Sequence, residues 1–273
     1  MITSEIKLKY PILMVHGMGF RDHKHLNYWG RIPGALEKAG CKIFYGNQDS
    51  TASVETNAEC LKERIEEILK ETGAEKLNVI AHSKGGLDIR CAISKYGLGE
   101  KIASVTTINT PHHGSRTVDK LLKLPDCLVR IAAIFTDLVF AVLGDEKPDA
   151  YSVFKLFTTA ESDKFNREHP DAPETYYQSY AFVMKSPFGD IFLWFPSLVI
   201  WLLDGPNDGL LTPDSVKWGN FRGILKSNSR RGISHCDEVD MRRMRFTKKT
   251  GDGVSDIPDF YLGVVQELAE KGY

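Results

Sequence analysis

The chain has 273 residues, 42% of them hydrophobic, with 35 Lys and Arg against 36 Asp and Glu for a net charge of −1. That length and apolar content suffice for the core of one α/β domain, 1–273, and the near-neutral balance removes the general electrostatic case for binding nucleic acid or an anionic membrane. Cys41, Cys60, Cys91, Cys127 and Cys236 are odd in number and lack C-x-x-C spacing, so neither a disulfide framework nor a zinc cluster is expected.

At the N-terminus only Lys7 and Lys9 precede a short apolar run, and no small-residue cleavage site follows. The expectation is a cytoplasmic protein, or one exported without a cleaved signal peptide, with no transmembrane segment. Tyr10 to Val15 predicts a buried parallel strand leading into the glycine-rich loop His16-Gly17-Met18-Gly19-Phe20. His23 and His25 beyond it read as solvated loop rather than a zinc site. Val54, Ala58, Leu61, Ile65, Ile68 and Leu69 recur at helical spacing in a Glu/Lys-rich stretch, predicting a helix that closes at Gly73. Leu77 to Ala81 predicts a strand and Leu87 to Tyr96 a helix; Ile102 to Ile108 and Tyr176 to Met184 predict further strands. Phe260, Tyr261, Val264, Val265 and Leu268 form the apolar stripe of a last helix. Strands alternating with helices predict an α/β fold with a mostly parallel central sheet covered by helices on both faces.

Two segments carry more apolar surface than that alternation needs. From Leu121 to Leu143 the polar interruptions are chiefly Arg130, Thr136 and Asp137, and Ile191 to Leu203 is apolar except for Ser197, with Pro196 interrupting it. Both are short or marginal for a bilayer span. They read either as a subdomain core, packing on each other, or as a helical cap or lid (115–165 and 186–204) whose apolar face lines an acyl pocket and meets lipid transiently.

Between the Leu77 strand and the Leu87 helix lies Ala81-His82-Ser83-Lys84-Gly85. Small residues two before and two after a serine let the backbone turn sharply and hold the hydroxyl clear of the sheet, which makes this a nucleophile elbow. A serine hydroxyl needs a histidine to take its proton and a carboxylate to fix the imidazole tautomer. Chain order in this architecture should be serine, acid, histidine. Asp208, in Gly205-Pro206-Asn207-Asp208-Gly209, and His235, the one histidine after it, satisfy that order. Asp208 also fits a plain turn-former with a local side-chain bond. An oxyanion needs two backbone N–H donors, expected from Lys84 and from Met18.

These residues resemble the bacterial true lipases, triacylglycerol lipases of the α/β-hydrolase fold. The resemblance rests on His16-Gly17-Met18, Ala81-His82-Ser83-Lys84-Gly85-Gly86, Asn109-Thr110-Pro111-His112-His113-Gly114-Ser115, Asn207-Asp208-Gly209-Leu210 and His235-Cys236-Asp237-Glu238-Val239. It implies Ser83 as nucleophile, Asp208 as acid and His235 as base, an acylglycerol or other lipid ester as substrate, and no cofactor in the chemistry. It further implies a structural calcium near the histidine loop, held by Asp190 and Asp237 with carbonyls near Met241 and Arg245, although Met241 stands where the family places a glutamine. Two alternatives stay open: a soluble carboxylesterase or thioesterase with the same three residues, and a non-catalytic lipid-binding protein of the same fold. The oligomeric state is not legible.

Overall fold

A computed structural model describes residues 5–19, 27–123, 126–142, 144–247 and 253–273, with backbone alone at 128, 132, 135, 139 and 140. His23, His25 and Leu143 lie outside the described residues, as do the side chains of Leu128, Phe135, Val139 and Phe140. Ile12–Val15 (β1) forms where the first apolar run predicts it, and is followed by Ile32–Lys38 (α1) and Ile43–Tyr45 (β2). Val54–Thr72 (α2) starts where the Ser53 side chain accepts from the Thr56 N–H and stops at Gly73, in the left-handed conformation that glycine adopts without steric cost. Leu77–His82 (β3), Gly85–Tyr96 (α3) and Ile102–Ile108 (β4) continue the alternation.

Among the described residues four helices then intervene before the next strand: Arg116–Leu121 (α4), Asp126–Val142 (α5), Ala150–Leu156 (α6) and Thr159–Glu168 (α7). Tyr176–Phe182 (β5) ends two residues before the predicted strand, and Trp194–Leu203 (α8) carries most of the second apolar segment. Pro213–Val216 (α9), Asn220–Leu225 (β6) and Ile257–Glu270 (α10) complete the order. Among the described residues no helix is long and apolar enough to cross a membrane.

Among the described residues the six strands are all parallel, in the order β2-β1-β3-β4-β5-β6. Alternate side chains of β1 divide between two cores, as the two-residue period of a strand requires. Leu13 and Val15 pack with α2 and α3, whereas Ile12 and Met14 pack with α1 and α10. Both faces being covered explains why the central strands read as continuous apolar runs.

The excursion between β5 and α9 is pinched at its base, where the Met184 N–H donates to the Asn207 carbonyl at 2.9 Å. Asn207 also accepts from the Ser197 hydroxyl at 3.0 Å, tying α8 to that base. The main helical neighbour of α5 is α6 and that of α8 is α4, so the two apolar segments do not chiefly pack on each other. Ile131, Ile134, Leu138 and Val142 on α5 and Ile191, Phe192, Phe195 and Leu202 around α8 are exposed, each by 61% or more.

Candidate active site

β3 delivers Ser83 to the carboxyl edge of the sheet, where crevices form in open parallel sheets. Its φ of 53° is costly for a residue with a Cβ. The strain is held by flanking bonds, Ser83 N–H to the Ile108 carbonyl at 3.0 Å and Gly86 N–H to the Ser83 carbonyl at 3.1 Å. Close approach demands the neighbouring glycines. A Cβ on Gly85 would stand 2.4 Å from the His16 carbonyl oxygen and 2.6 Å from that of Val15, and one on Gly17 would stand 2.7 Å from the Ser83 Cβ. The loop after β1 is therefore packed directly against the serine.

Ser83, His235 and Met18 line one cavity of about 540 Å³. Its remaining wall is largely apolar, from Val118, Leu121 and Leu122 at α4, Val129 on α5, Phe154 and Phe157 at α6, and Leu210 and Leu211. A second cavity of about 480 Å³ lies between β6 and α10, contains none of the predicted site residues, and is edged by Arg222, Asp256, Asp259 and Glu267.

Behind His235, Nδ1 lies 2.6 Å from Asp208 Oδ2. Asp208 is fully buried, which works to raise its pKa, but the His235 ring and the Leu210 and Leu211 N–H groups outweigh that and hold it below the ordinary carboxylate value. An ionised carboxylate only accepts, so the ring proton sits on Nδ1 and the Nε2 lone pair is left to act as a base. Asp208 makes the local bonds of a turn, with Oδ1 accepting from Leu210 and Leu211 at 2.8 and 2.7 Å, while its Oδ2 faces the imidazole.

Three residues without assigned roles in the sequence reading complete the arrangement. Asn109, at φ 39° immediately after β4, donates through Nδ2 to Asp208 at 2.5 Å and to Glu238 at 2.8 Å. Asparagine tolerates such a backbone better than most residues, and that was the available signal. Glu238 and His82 are both buried, with His82 Nε2 2.8 Å from Glu238 Oε2 and Tyr28 Oη 2.6 Å from His82 Nδ1. Burial, and then the Asp208 charge, push the Glu238 carboxyl well above its ordinary pKa, which favours its neutral form. Burial likewise, helped by His235, lowers His82 well below its ordinary value and keeps that ring uncharged.

Lys84 was expected to supply an oxyanion N–H, a role its side chain does not enter. Its side chain turns into the core, where Nζ meets Asp88 Oδ1 and Oδ2 at 2.8 and 3.0 Å, and Asn57 Nδ2 donates to the same carboxylate at 2.9 Å. The four-residue spacing of Lys84 and Asp88 on one helix was legible beforehand. Asp190 and Asp237, the residues set aside for calcium, do come together, with the Arg242 guanidinium on both. Among the described residues one other set of metal-ligating atoms converges, that of His82, His235 and Glu238, within 4.8 Å. Those atoms are already committed to hydrogen bonds within the buried network.

The sequence matches the family model described as alpha/beta hydrolase fold over residues 10–153. It is 30% identical to triacylglycerol lipase 2 of Saccharomyces cerevisiae over 272 residues, covering 92% of this chain and 78% of the yeast protein. It is 28% identical to a triacylglycerol lipase of Vibrio cholerae over 256 residues, covering 85% of this chain and 80% of that one. Among solved structures, the mature Bacillus licheniformis lipase superposes with a TM-score of 0.67 at 19% identity, over 98% of this chain and 95% of its own. A metagenomic carboxyl esterase superposes with a TM-score of 0.73 at 18% identity, over 98% and 78%. At such identities the two structures bear on the fold.

Proposed function

Since this chain belongs to the α/β-hydrolase family, in its lipase branch, and is a hydrolase acting on carboxylic esters, we propose that it cleaves acylglycerol esters through Ser83, His235 and Asp208 by way of an acyl-enzyme. The observation that carries this reading is that the Ser83 hydroxyl and the His235 ring open onto the same apolar cavity, with Asp208 on the far nitrogen of that ring.

Ser83 Oγ attacks the ester carbonyl carbon while His235 Nε2 takes the hydroxyl proton, and the imidazolium is stabilised by ionised Asp208. The oxyanion is met by the backbone N–H groups of Met18 and Lys84, supplied by the loop packed on Ser83 and by the start of α3. Collapse breaks the bond to the alcohol oxygen, which leaves with the proton from His235. Water then attacks the acyl-serine ester, giving its proton to His235. The second collapse returns that proton to Ser83 and frees the fatty acid. No cofactor takes part in these steps.

Acyl chains fit the apolar wall formed by the segment 115–165 and by Leu210 and Leu211. The exposed apolar side chains of α5 and of the segment 186–204 favour a lipid-ester substrate met at an interface over a small dissolved one. Labelling with a long-chain alkyl phosphonate should modify Ser83. Ser83→Ala should abolish both labelling and ester turnover, a loss on the order of 10⁴-fold or more, with Tm retained. Turnover undiminished in Ser83→Ala overturns the mechanism, and activity confined to short dissolved esters overturns the lipase assignment in favour of an esterase.

A further inference from the structure

Asp190 and Asp237 lie on opposite sides of a contact that joins two parts of the chain. Asp190 opens the apolar stretch before α8, with Oδ1 accepting from the N–H groups of Phe192 and Leu193 at 2.8 and 3.2 Å. Asp237 belongs to the short turn after His235, with its Oδ2 accepting from the Ser234 N–H at 3.3 Å. Between them stands Arg242, whose Nη2 donates to Asp190 Oδ2 and whose Nε lies 3.2 Å from Asp237 Oδ1. The Ser234 hydroxyl adds a bond of 2.6 Å to Asp190 Oδ2. Both carboxylates are buried, and the arginine side chain is 18% exposed.

Calcium takes six to eight oxygen ligands. The groups aimed at these carboxylates are instead donors: three backbone N–H groups, a hydroxyl and a guanidinium. Backbone N–H dipoles pointed at a carboxylate satisfy it and repel a metal ion brought to the same oxygens. A planar guanidinium presents donors in a fixed fork and can serve two carboxylates at once, which matches what is found. The donor set therefore fits a guanidinium and does not fit calcium.

We propose that Arg242 is a positioning residue, a built-in cation that clamps the histidine loop to the start of the 190–203 segment in place of a divalent metal. The clamp brackets His235 closely. Ser234 and Asp237, one residue before it and two after, both belong to the clamped set, and the His235 N–H donates to the Asp208 carbonyl at 2.8 Å. Loss of the guanidinium leaves two buried carboxylates facing each other, and their repulsion opens the loop that holds the ring over the cavity.

The test combines metal dependence with kinetics, using full-length wild type, Arg242→Gln and Arg242→Lys. In wild type, a chelator should leave Tm unmoved and calorimetric titration with calcium should show no stoichiometric binding. Arg242→Gln should lower Tm by roughly 5 °C, reduce kcat on a dissolved short-chain ester about tenfold with KM little changed, and move the acid limb of the kcat–pH profile. Arg242→Lys, which keeps the charge and loses the fork, should recover only part of each effect. A fall in wild-type Tm on chelation, stoichiometric calcium binding by wild type, or Arg242→Gln with wild-type kcat and pH profile would each overturn the clamp. The kinetic arm rests on His235 as the base. The metal arm does not, and repeating it on Ser83→Ala separates failure of the clamp from failure of the catalytic reading.

Discussion

His82 Nε2 lies 2.8 Å from Glu238 Oε2 with neither side chain exposed, and the His82 ring stands 4.4 Å from that of His235. Two carboxyls thus face the imidazole proposed as base, since Glu238 Oε2 is also 3.7 Å from His235 Nδ1. Burial and the Asp208 charge shift the Glu238 carboxyl upward while Asp208 is held below the ordinary value, so the negative charge facing Nδ1 falls on Asp208, which draws the ring proton.

Glu238→Gln should therefore be mild. The amide reproduces the shape and neutrality of a protonated carboxyl, and a neutral His82 can exchange tautomers to suit it. Glu238→Ala removes the partner of His82 Nε2 and one of the acceptors of the Asn109 amide in the core, and should cost about 2–4 kcal/mol. Urea denaturation of both variants checks this. A Gln variant as unstable as the Ala variant would mean that Glu238 is charged in the native protein.

His112 gives a pH dependence away from Ser83, His235 and Asp208. Arg90 Nη1 lies 3.2 Å from its Nδ1, and a guanidinium only donates, so Nδ1 accepts and the Nε2 proton faces Thr107 Oγ1 at 3.0 Å. Burial, then Arg90 and His113, lower its pKa well below 6.5. The unfolded imidazole takes up a proton below 6.5 while the native one does not, so unfolding binds a proton and acid favours the unfolded state. Stability should fall as pH drops through 6.5 and keep falling below it. His112→Gln should make that slope shallower by up to about 1.4 kcal/mol per pH unit. An unchanged slope between wild type and variant refutes a neutral native His112.

Glycine at the elbow is set by space. Gly85→Ala places a methyl against two fixed carbonyl oxygens, those of Val15 at the end of β1 and His16 just after it, and should cost at least about 2 kcal/mol, lowering Tm by roughly 5 °C. Gly263→Ala, in the middle of α10 with nothing within 4 Å of the new Cβ, should stabilise by about 0.5–1 kcal/mol. Thermal melts of the pair decide whether contact or helix propensity governs, and equal shifts of one sign would contradict the packing described.

On α5, Ile134 and Leu138 are 67% and 64% exposed. Burying such a side chain in lipid is worth about 1.5–3 kcal/mol. The double variant Ile134→Asp, Leu138→Asp should leave turnover of a dissolved short-chain ester intact and lower that of emulsified triacylglycerol at least about tenfold. Equal losses on both substrates would assign this face to folding instead of interface contact.

The elements that could be read from the sequence are those whose signal is local. β4 was predicted at its observed limits, α2 at the glycine that closes it, and the β3–Ser83–α3 turn from five consecutive residues. β2 and β6 were missed because they are edge strands with half-exposed side chains, the first only three residues long, and α1 because its seven residues span barely two turns. The order of Ser83, Asp208 and His235 was likewise legible, since an ordered set of motifs survives without coordinates.

What tertiary structure alone decided is how the charges are distributed. Asn109 reaches Asp208 across 99 residues of sequence, His82 reaches Glu238 across 156, and Arg242 reaches Asp190 across 52. Whether a glutamate is neutral, or a pair of aspartates meets a guanidinium, depends on burial and on partners distant in the chain. Sequence fixes which side chains are available, and folding sets the dielectric and the neighbours that determine their charge.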